Sequence, residues 1–160
     1  MEEKPFLQLI SDNQRIIDKI CRLYRDTKED RRDLFQEIVF QLWQSIDSFR
    51  GQSKPSTFIY RVAINTALTS FRKDKTKKLI DYTDQLPEMA NEPEDRDLEA
   101  RTQALIAAVK KLSEPDRAIM ALLLDDLSYR EIAEITGTSE NNIAVKISRI
   151  KDRIRKILKI

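Results

Sequence analysis

Histidine is absent from the 160-residue chain. The commonest general base and the commonest metal ligand are therefore missing. A single cysteine, Cys21, cannot close an internal disulfide, and a zinc ion would have to rely on carboxylates. The two glycines, Gly51 and Gly137, are too few and too far apart for a phosphate-cradling loop. No run of about 18 apolar residues occurs, so no membrane insertion is expected. The N-terminus, Met-Glu-Glu-Lys-Pro, lacks the basic start and long apolar stretch of a secretion signal, and the cytoplasm is the expected location. No cofactor, metal or small-molecule substrate is expected. These absences leave catalysis by carboxylates or lysines open but remove most cheap routes to it, which makes an enzyme the weakest functional class.

What is present points to helices. Apolar residues make up 41 % of the chain and charged residues 35 %. A glycine-poor chain rich in Leu, Ile, Lys, Arg and Glu is usually helical, and no segment alternates like a strand. Ser11 with Gln14 resembles a capping box ahead of Ile16, Ile17 and Ile20. Cys21 shares an apolar stripe with Ile17, Ile20 and Tyr24 and is expected in the core. Further helices are predicted from about Asp30 to Asp47 and, with Pro55 in the first turn, to about Lys73. Beyond them, a helix is expected over Leu98–Leu112, then one capped by Ser113. Ser128 with Glu131 forms a second capping box, Gly137 ends that short helix, and a last helix starts at about Ser139.

The net charge of +2 conceals an uneven distribution. Residues 71–78 carry five basic residues against one acid, and residues 139–160 carry seven against two. Between them, residues 81–99 carry eight acids against one arginine. This acidic stretch, with Pro87 and Pro93, reads as a linker. The expected architecture is all-α: two small helical domains joined by a linker, the C-terminal one a helix-turn-helix. The boundaries are 1–78, 79–100 and 101–160.

Three surfaces stand out. Two helices joined by a tight turn at Gly137 match a helix-turn-helix. On the last helix, Ile143, Ile147, Ile150, Ile154 and Ile157 fall in one sector. Asn142, Val145, Lys146, Arg149, Arg153 and Lys156 fall in another, which suits base edges and phosphates of duplex DNA. By spacing alone, an ordinary solvated basic face fits the same residues. On the helix from Asp30, Leu34, Phe35, Ile38, Leu42 and Ile46 form the buried stripe, while Phe40 and Trp43 lie off it. Either a partner covers these aromatics or Trp43 packs on a neighbouring helix. On the helix from Pro55, Arg61, Asn65, Leu68 and Arg72 form a strip opposite a wide apolar face. With Lys73, Lys75, Lys77 and Lys78 it suits a nucleic-acid backbone, or is simply solvated.

Together these stretches resemble a known family. The run Asp33-Leu34-Phe35-Gln36-Glu37-Ile38-Val39-Phe40-Gln41-Leu42-Trp43 is followed by Ser48-Phe49-Arg50-Gly51 and by Ser56-Thr57-Phe58-Ile59-Tyr60-Arg61-Val62-Ala63-Ile64-Asn65. In the C-terminal part come Leu112-Ser113-Glu114-Pro115-Asp116-Arg117 and Leu127-Ser128-Tyr129-Arg130-Glu131-Ile132-Ala133-Glu134-Ile135. In this order they resemble the small extracytoplasmic-function (ECF) sigma factors of bacterial RNA polymerase.

The resemblance implies a non-enzymatic subunit that binds core RNA polymerase and promoter DNA and is held by an anti-sigma factor. It implies polymerase binding by Asp33, Gln36, Glu37, Phe40 and Trp43. It implies contact with an opened −10 element by Phe49, Arg50, Ser53, Lys54, Phe58, Arg61, Asn65, Arg72 and Lys73. It implies reading of a duplex −35 element by Ser139, Asn141, Asn142, Val145, Lys146, Arg149 and Arg153. Phe58 stands where many members have tryptophan, and Ala144-Val145-Lys146 where many have a basic-serine-arginine triplet. A dimeric helix-turn-helix regulator acting without polymerase is the main alternative. A protein-interaction module that inhibits polymerase is a further one.

Overall fold

The computed structural model describes residues 2–51, 53–78 and 96–160, with the side chains of 74–78 and 96 left aside. Eight α-helices and one short 3₁₀ turn make up the described residues, and no strand occurs among them. The chain divides into two compact units, residues 1–87 and 88–160.

The first unit contains α1 (Glu3–Asp12), α2 (Gln14–Tyr24), α3 (Lys28–Ser45), the 3₁₀ turn Ile46–Ser48 and α4 (Pro55–Lys78). Helices α2, α3 and α4 pack on one another, and α1 leans on α2. Ile17 and Ile20 of α2, Ile38 and Leu42 of α3 and Ile59, Ala63 and Ala67 of α4 are fully buried. Each large aliphatic among them contributes about 1.5–3 kcal/mol by leaving water. The two alanines let α4 lie close to its neighbours.

Helix ends are held by specific groups. The Thr27 hydroxyl accepts from the Asp30 amide at 3.0 Å, which starts α3 two residues before the expected Asp30. Arg25, buried at the end of α2, donates to the Tyr24 carbonyl at 3.0 Å and to the Ser70 hydroxyl at 2.5 Å, tying α2 to α4. The expected cap at Ser11 does not form, because α1 runs through Ser11 to Asp12. The break falls at Asn13, whose side-chain amide donates to the Leu9 carbonyl at 2.9 Å and so satisfies the end of α1. Phe35, expected in the buried stripe, is only half-buried. Cys21 is buried as expected. Desolvation, then the nearby Asp18 charge, pushes its thiol up from 9.0 to about 12 against the opposing charges of Arg25 and Arg31.

The second unit contains α5 (Arg96–Lys110), α6 (Glu114–Leu124), α7 (Tyr129–Thr136) and α8 (Glu140–Leu158). Residues 96–100, assigned above to the acidic segment, form the first turn of α5; residues 79–95 lie outside the described residues. Helix α8 is the axis on which α5, α6 and α7 pack. Its Ile143, Ile147, Ile150 and Ile154 are buried, as are Val109 of α5, Leu122 of α6 and Ile132 of α7, while Ile157 is half-buried. Ser113 caps α6 with Pro115 in the first turn. The Arg117 guanidinium is buried and donates to the carbonyls of Lys110 at 2.6 Å and Leu112 at 3.5 Å. A cation is thus placed at the negative end of α5, where the helix dipole favours it.

The turn between α7 and α8 is fully accounted for. Ser128 and Glu131 form the reciprocal capping box that starts α7. Gly137 sits at φ 74° and its amide, with that of Thr138, returns to the Ala133 carbonyl at 2.9 and 3.0 Å. Ser139 then caps α8 by accepting from the Asn142 amide at 3.2 Å.

Two outcomes are expected. A Cβ at Gly137 meets nothing within 4 Å, so its cost is backbone strain alone. Gly137→Ala should therefore lower the stability of the C-terminal unit by about 1–2 kcal/mol in chemical denaturation, and Gly137→Asn by less. Second, Cys21 should resist thiol reagents at pH 8 in the folded chain and react at once in denaturant. Because its folded pKa lies above the unfolded one, the neutral thiol favours folding below pH 9. That contribution is lost as pH rises from 9 towards about 12. Comparing the pH dependence of melting with that of Cys21→Ala isolates this term.

Candidate nucleic-acid interface

The core line of Ile143, Ile147, Ile150 and Ile154 fixes the rotation of α8 about its own axis. At about 100° per residue, the opposite arc is centred near Val145 and Asp152. Ser139, Asn141, Asn142, Val145, Lys146, Arg149 and Arg153 are all exposed, and Val145 is 51 % exposed. The structure therefore brings these residues to one accessible side, with a hydrophobic contact between polar neighbours. Three of them are engaged within the unit, Ser139 as the cap of α8. Arg153 Nη1 lies 3.5 Å from the Asp116 carboxylate on α6. The Asn142 side-chain amide donates to the Thr138 hydroxyl at 3.2 Å. The Arg153 pair is exposed and contributes little to stability, so a phosphate can compete for that guanidinium. The sequence-level sector leaned towards Arg149 and Arg153 and left out Ser148, Lys151 and Arg155, which lie on the other side of the same arc.

On α4, the exposed Asn65, Arg72 and Lys73 and the half-buried Phe58 and Arg61 share one face. The side chains of Lys75, Lys77 and Lys78 lie outside the described residues. Phe49 and Phe58 stack at a tilt of 39° with ring centroids 5.0 Å apart. This pairing fastens the start of the loop to the first turn of α4 and is worth about 0.5–1.5 kcal/mol beyond area burial. Gly51, at φ 69°, turns the loop between them. Arg50 and Lys54 are exposed and Ser53 half-buried. Spacing identified Phe49 and Phe58 singly, and their contact across the loop had no local signal.

The face is not uniformly cationic. A cleft of about 680 Å³ between α3 and α4 brings Asn65, Thr69 and Lys73 to the same space as Asp30, Asp33 and Glu37. Negative potential from these carboxylates falls on the Asn65–Lys73 edge, whereas Arg61 and Arg72 lie further round α4.

The strip on α3 divides in the same way. Asp33 and Glu37 face the polar cleft. Gln36, Phe40 and Trp43 face an apolar groove of about 520 Å³ whose other wall is Phe6 and Leu7 of α1. Trp43 meets Phe6 edge-on with centroids 4.8 Å apart, yet keeps 43 % of its surface exposed; Phe40 keeps 51 % and Leu7 54 %. Both readings of Trp43 thus apply, since it packs on a neighbouring helix and remains available. Leu7 is a residue that spacing missed. Its signal was an apolar side chain off the Phe6–Ile10 stripe. Among the described residues, no group of three or more Cys, Asp or Glu is placed to hold a metal, and no helix is long and apolar enough to cross a membrane.

Comparison with known proteins places the chain in a lineage. Residues 9–77 match Sigma-70 region 2, and residues 102–154 match Sigma-70 region 4. The ECF RNA polymerase sigma factor SigG of Mycobacterium tuberculosis is 24 % identical over 164 residues, which cover 86 % of the chain. The chain spans only 44 % of the length of that relative. The ECF RNA polymerase sigma-E factor of Escherichia coli is 31 % identical over 138 residues, covering 78 % of the chain and 72 % of the relative. Among solved structures, the sigma factor RpoE of Bartonella quintana, in complex with the anti-sigma factor NepR, superposes with a TM-score of 0.77 at 22 % identity, over 99 % of both chains. The order of the two regions along the chain, together with the identity to sigma-E over most of both proteins, shows that the chain belongs to the ECF sigma factors of the sigma-70 family.

Proposed function

We propose that this protein is a promoter-specificity subunit with no enzymatic activity, acting in the cytoplasm by binding core RNA polymerase and directing it to paired −10 and −35 elements. The observation that carries the reading is the pairing, in one chain, of an exposed aromatic edge on α3 with an exposed helix-turn-helix reading face on α8. In this reading residues 1–78 bind polymerase and the −10 element, residues 79–100 tether, and residues 101–160 bind the −35 element. Gln36, Phe40 and Trp43, with Asp33 and Glu37 beside them, dock on polymerase. Phe49, Arg50, Ser53, Lys54, Phe58, Arg61, Asn65, Arg72 and Lys73 receive the opened −10 strand. Extruding a base from the stack costs a few kcal/mol, which stacking on an aromatic pair and phosphate contacts offset. Ser139, Asn141, Asn142, Val145, Lys146, Arg149 and Arg153 read the −35 duplex. The structural relative is seen with an anti-sigma factor, and we infer an inhibitor of that kind for this chain.

The test is transcription in vitro with purified core polymerase, on promoters located by mapping transcript starts after overexpression. Transcription should depend on this protein. Replacing Lys146 and Arg149 by Ala should reduce it at least tenfold with polymerase association unchanged, since each base contact is worth about 1–3 kcal/mol. Phe40→Ala with Trp43→Ala should abolish association itself. Transcription indifferent to the protein, or stable binding of a palindrome by a dimer without polymerase, would overturn the reading.

A further inference from the structure

Core packing and capping fix the backbone of α8, but a base edge is read by the orientation of a side chain upon it. Lys146 and Arg149 reach out on long stems and can settle on a base or a phosphate as a duplex arrives. Asn142 is different. Its side chain is short, it stands in the first turn of α8, and its amide already has a partner. Asn142 Nδ2 donates to Thr138 Oγ1 at 3.2 Å. Thr138 is itself well held. Its backbone amide returns to the Ala133 carbonyl at 3.0 Å, closing α7 together with Gly137. The next residue, Ser139, accepts from the Asn142 backbone amide at 3.2 Å. Asn142 is therefore bound twice to the turn, by its backbone to Ser139 and by its side chain to Thr138. Threonine is β-branched and stiff at χ1, which confines the hydroxyl. Thr138 is half-buried, whereas Asn142 is exposed.

An asparagine amide carries two N–H donors and one carbonyl acceptor. The bond to Thr138 uses one donor and sets the amide plane. One donor and the carbonyl oxygen remain. Adenine offers the matching pair in the major groove, N7 as acceptor and the N6 amine as donor, whereas guanine offers two acceptors, N7 and O6. Turned over, the same amide would present both hydrogens outward, the pattern for guanine. The structure holds the opposite orientation, with the nitrogen on Thr138. Resting on the proposal that α8 reads duplex DNA, we infer that Thr138 positions the Asn142 amide for adenine and so sets the base preferred at one position of the −35 element. Thr138 need touch no base. It acts through Asn142, by removing in advance the freedom that the side chain would otherwise lose on binding.

The experiment uses the full chain with core polymerase and a panel of promoter duplexes that carry each base pair in turn across the −35 element. Asn142→Ala should flatten the preference at one position, where the wild type favours adenine over guanine at least about fivefold. Thr138→Val should lower that ratio about threefold, with the other positions and the thermal unfolding of the chain unchanged, and Thr138→Ser should retain it. In Asn142→Ala, adding Thr138→Val should have no further effect on the profile. A wild-type profile in Thr138→Val, or a wild-type preference for guanine at the Asn142 position, would overturn the assignment and leave the DNA-reading role intact. Equal weakening at every position in Thr138→Val would make Thr138 a residue of the turn alone and overturn the assignment too. If no base pair of the element mattered, and Lys146→Ala with Arg149→Ala also left binding unchanged, the reading role would fall with it.

Discussion

Four isoleucines decide what α8 shows to its surroundings. Ile143, Ile147, Ile150 and Ile154 repeat at the spacing that returns to one side of a helix, and all four are buried against α5, α6 and α7. A helix held along such a line cannot rotate without exposing several branched side chains, at about 1.5–3 kcal/mol each. The reading residues need no structural support of their own for their direction. They point outward because the isoleucines point inward. The Ser128 box, the left-handed Gly137 and the Ser139 cap then fix where along its axis the helix begins. Core packing sets the angle and capping, in which Ser139 itself accepts from the Asn142 amide, sets the register.

The N-terminal unit uses the same division with a different result. Ile38 and Leu42 bury one side of α3, and Ile59, Ala63 and Ala67 bury one side of α4. What remains exposed on α3 is partly aromatic, and α1 does not cover it. Phe6 takes only an edge of Trp43, and Leu7, beside it, stays mostly in water. Exposed apolar groups of this size, gathered in one groove, differ from the scattered ones that any surface carries. The polar cleft on the other side of α3 places carboxylates next to the α4 face. A ligand reaching Asn65 therefore meets negative potential on one side and arginines on the other. That asymmetry constrains the path of an anionic strand more tightly than a uniformly basic face does.

Legibility in the sequence followed the range of the interactions. Caps and turns are local, so Ser113, Ser128 with Glu131, Gly137 and Ser139 could be read from a few neighbouring residues, and each forms as expected. Helical periodicity is nearly as local, and it separated the isoleucine line from the basic sector on α8. The failures were of two kinds. At Ser11 a local motif was present, but α1 continued past it because Phe6 and Ile10 anchor that helix in the core and Asn13 supplies its end. Elsewhere the information lay between elements. The α1–α3 groove, the α3–α4 cleft, the Phe49–Phe58 stack and the Arg153–Asp116 pair each require two segments to be placed in space first.

The size of the reading surface bears on how such a chain can be selective. In the proposed reading, helix α8 offers base edges only a few groups: Asn142, Val145, Lys146 and Arg149, with Ser139 and Asn141 at its start. At about 1–3 kcal/mol for each good contact, and less for single hydrogen bonds, this face cannot by itself hold a promoter against the excess of other duplex. Basic flanks add affinity without adding discrimination, because phosphates are the same everywhere. Selectivity has to come from requiring two weak contacts at once. In the same reading, when one unit is bound, the covalent link between them raises the effective concentration of the other to the millimolar range, provided the two sites are spaced to suit it. A duplex with one correct element then gains little, while a duplex with both gains the product. A modest reading face is therefore suited to a two-unit chain, since a tighter one would hold sites that carry only half of the signal.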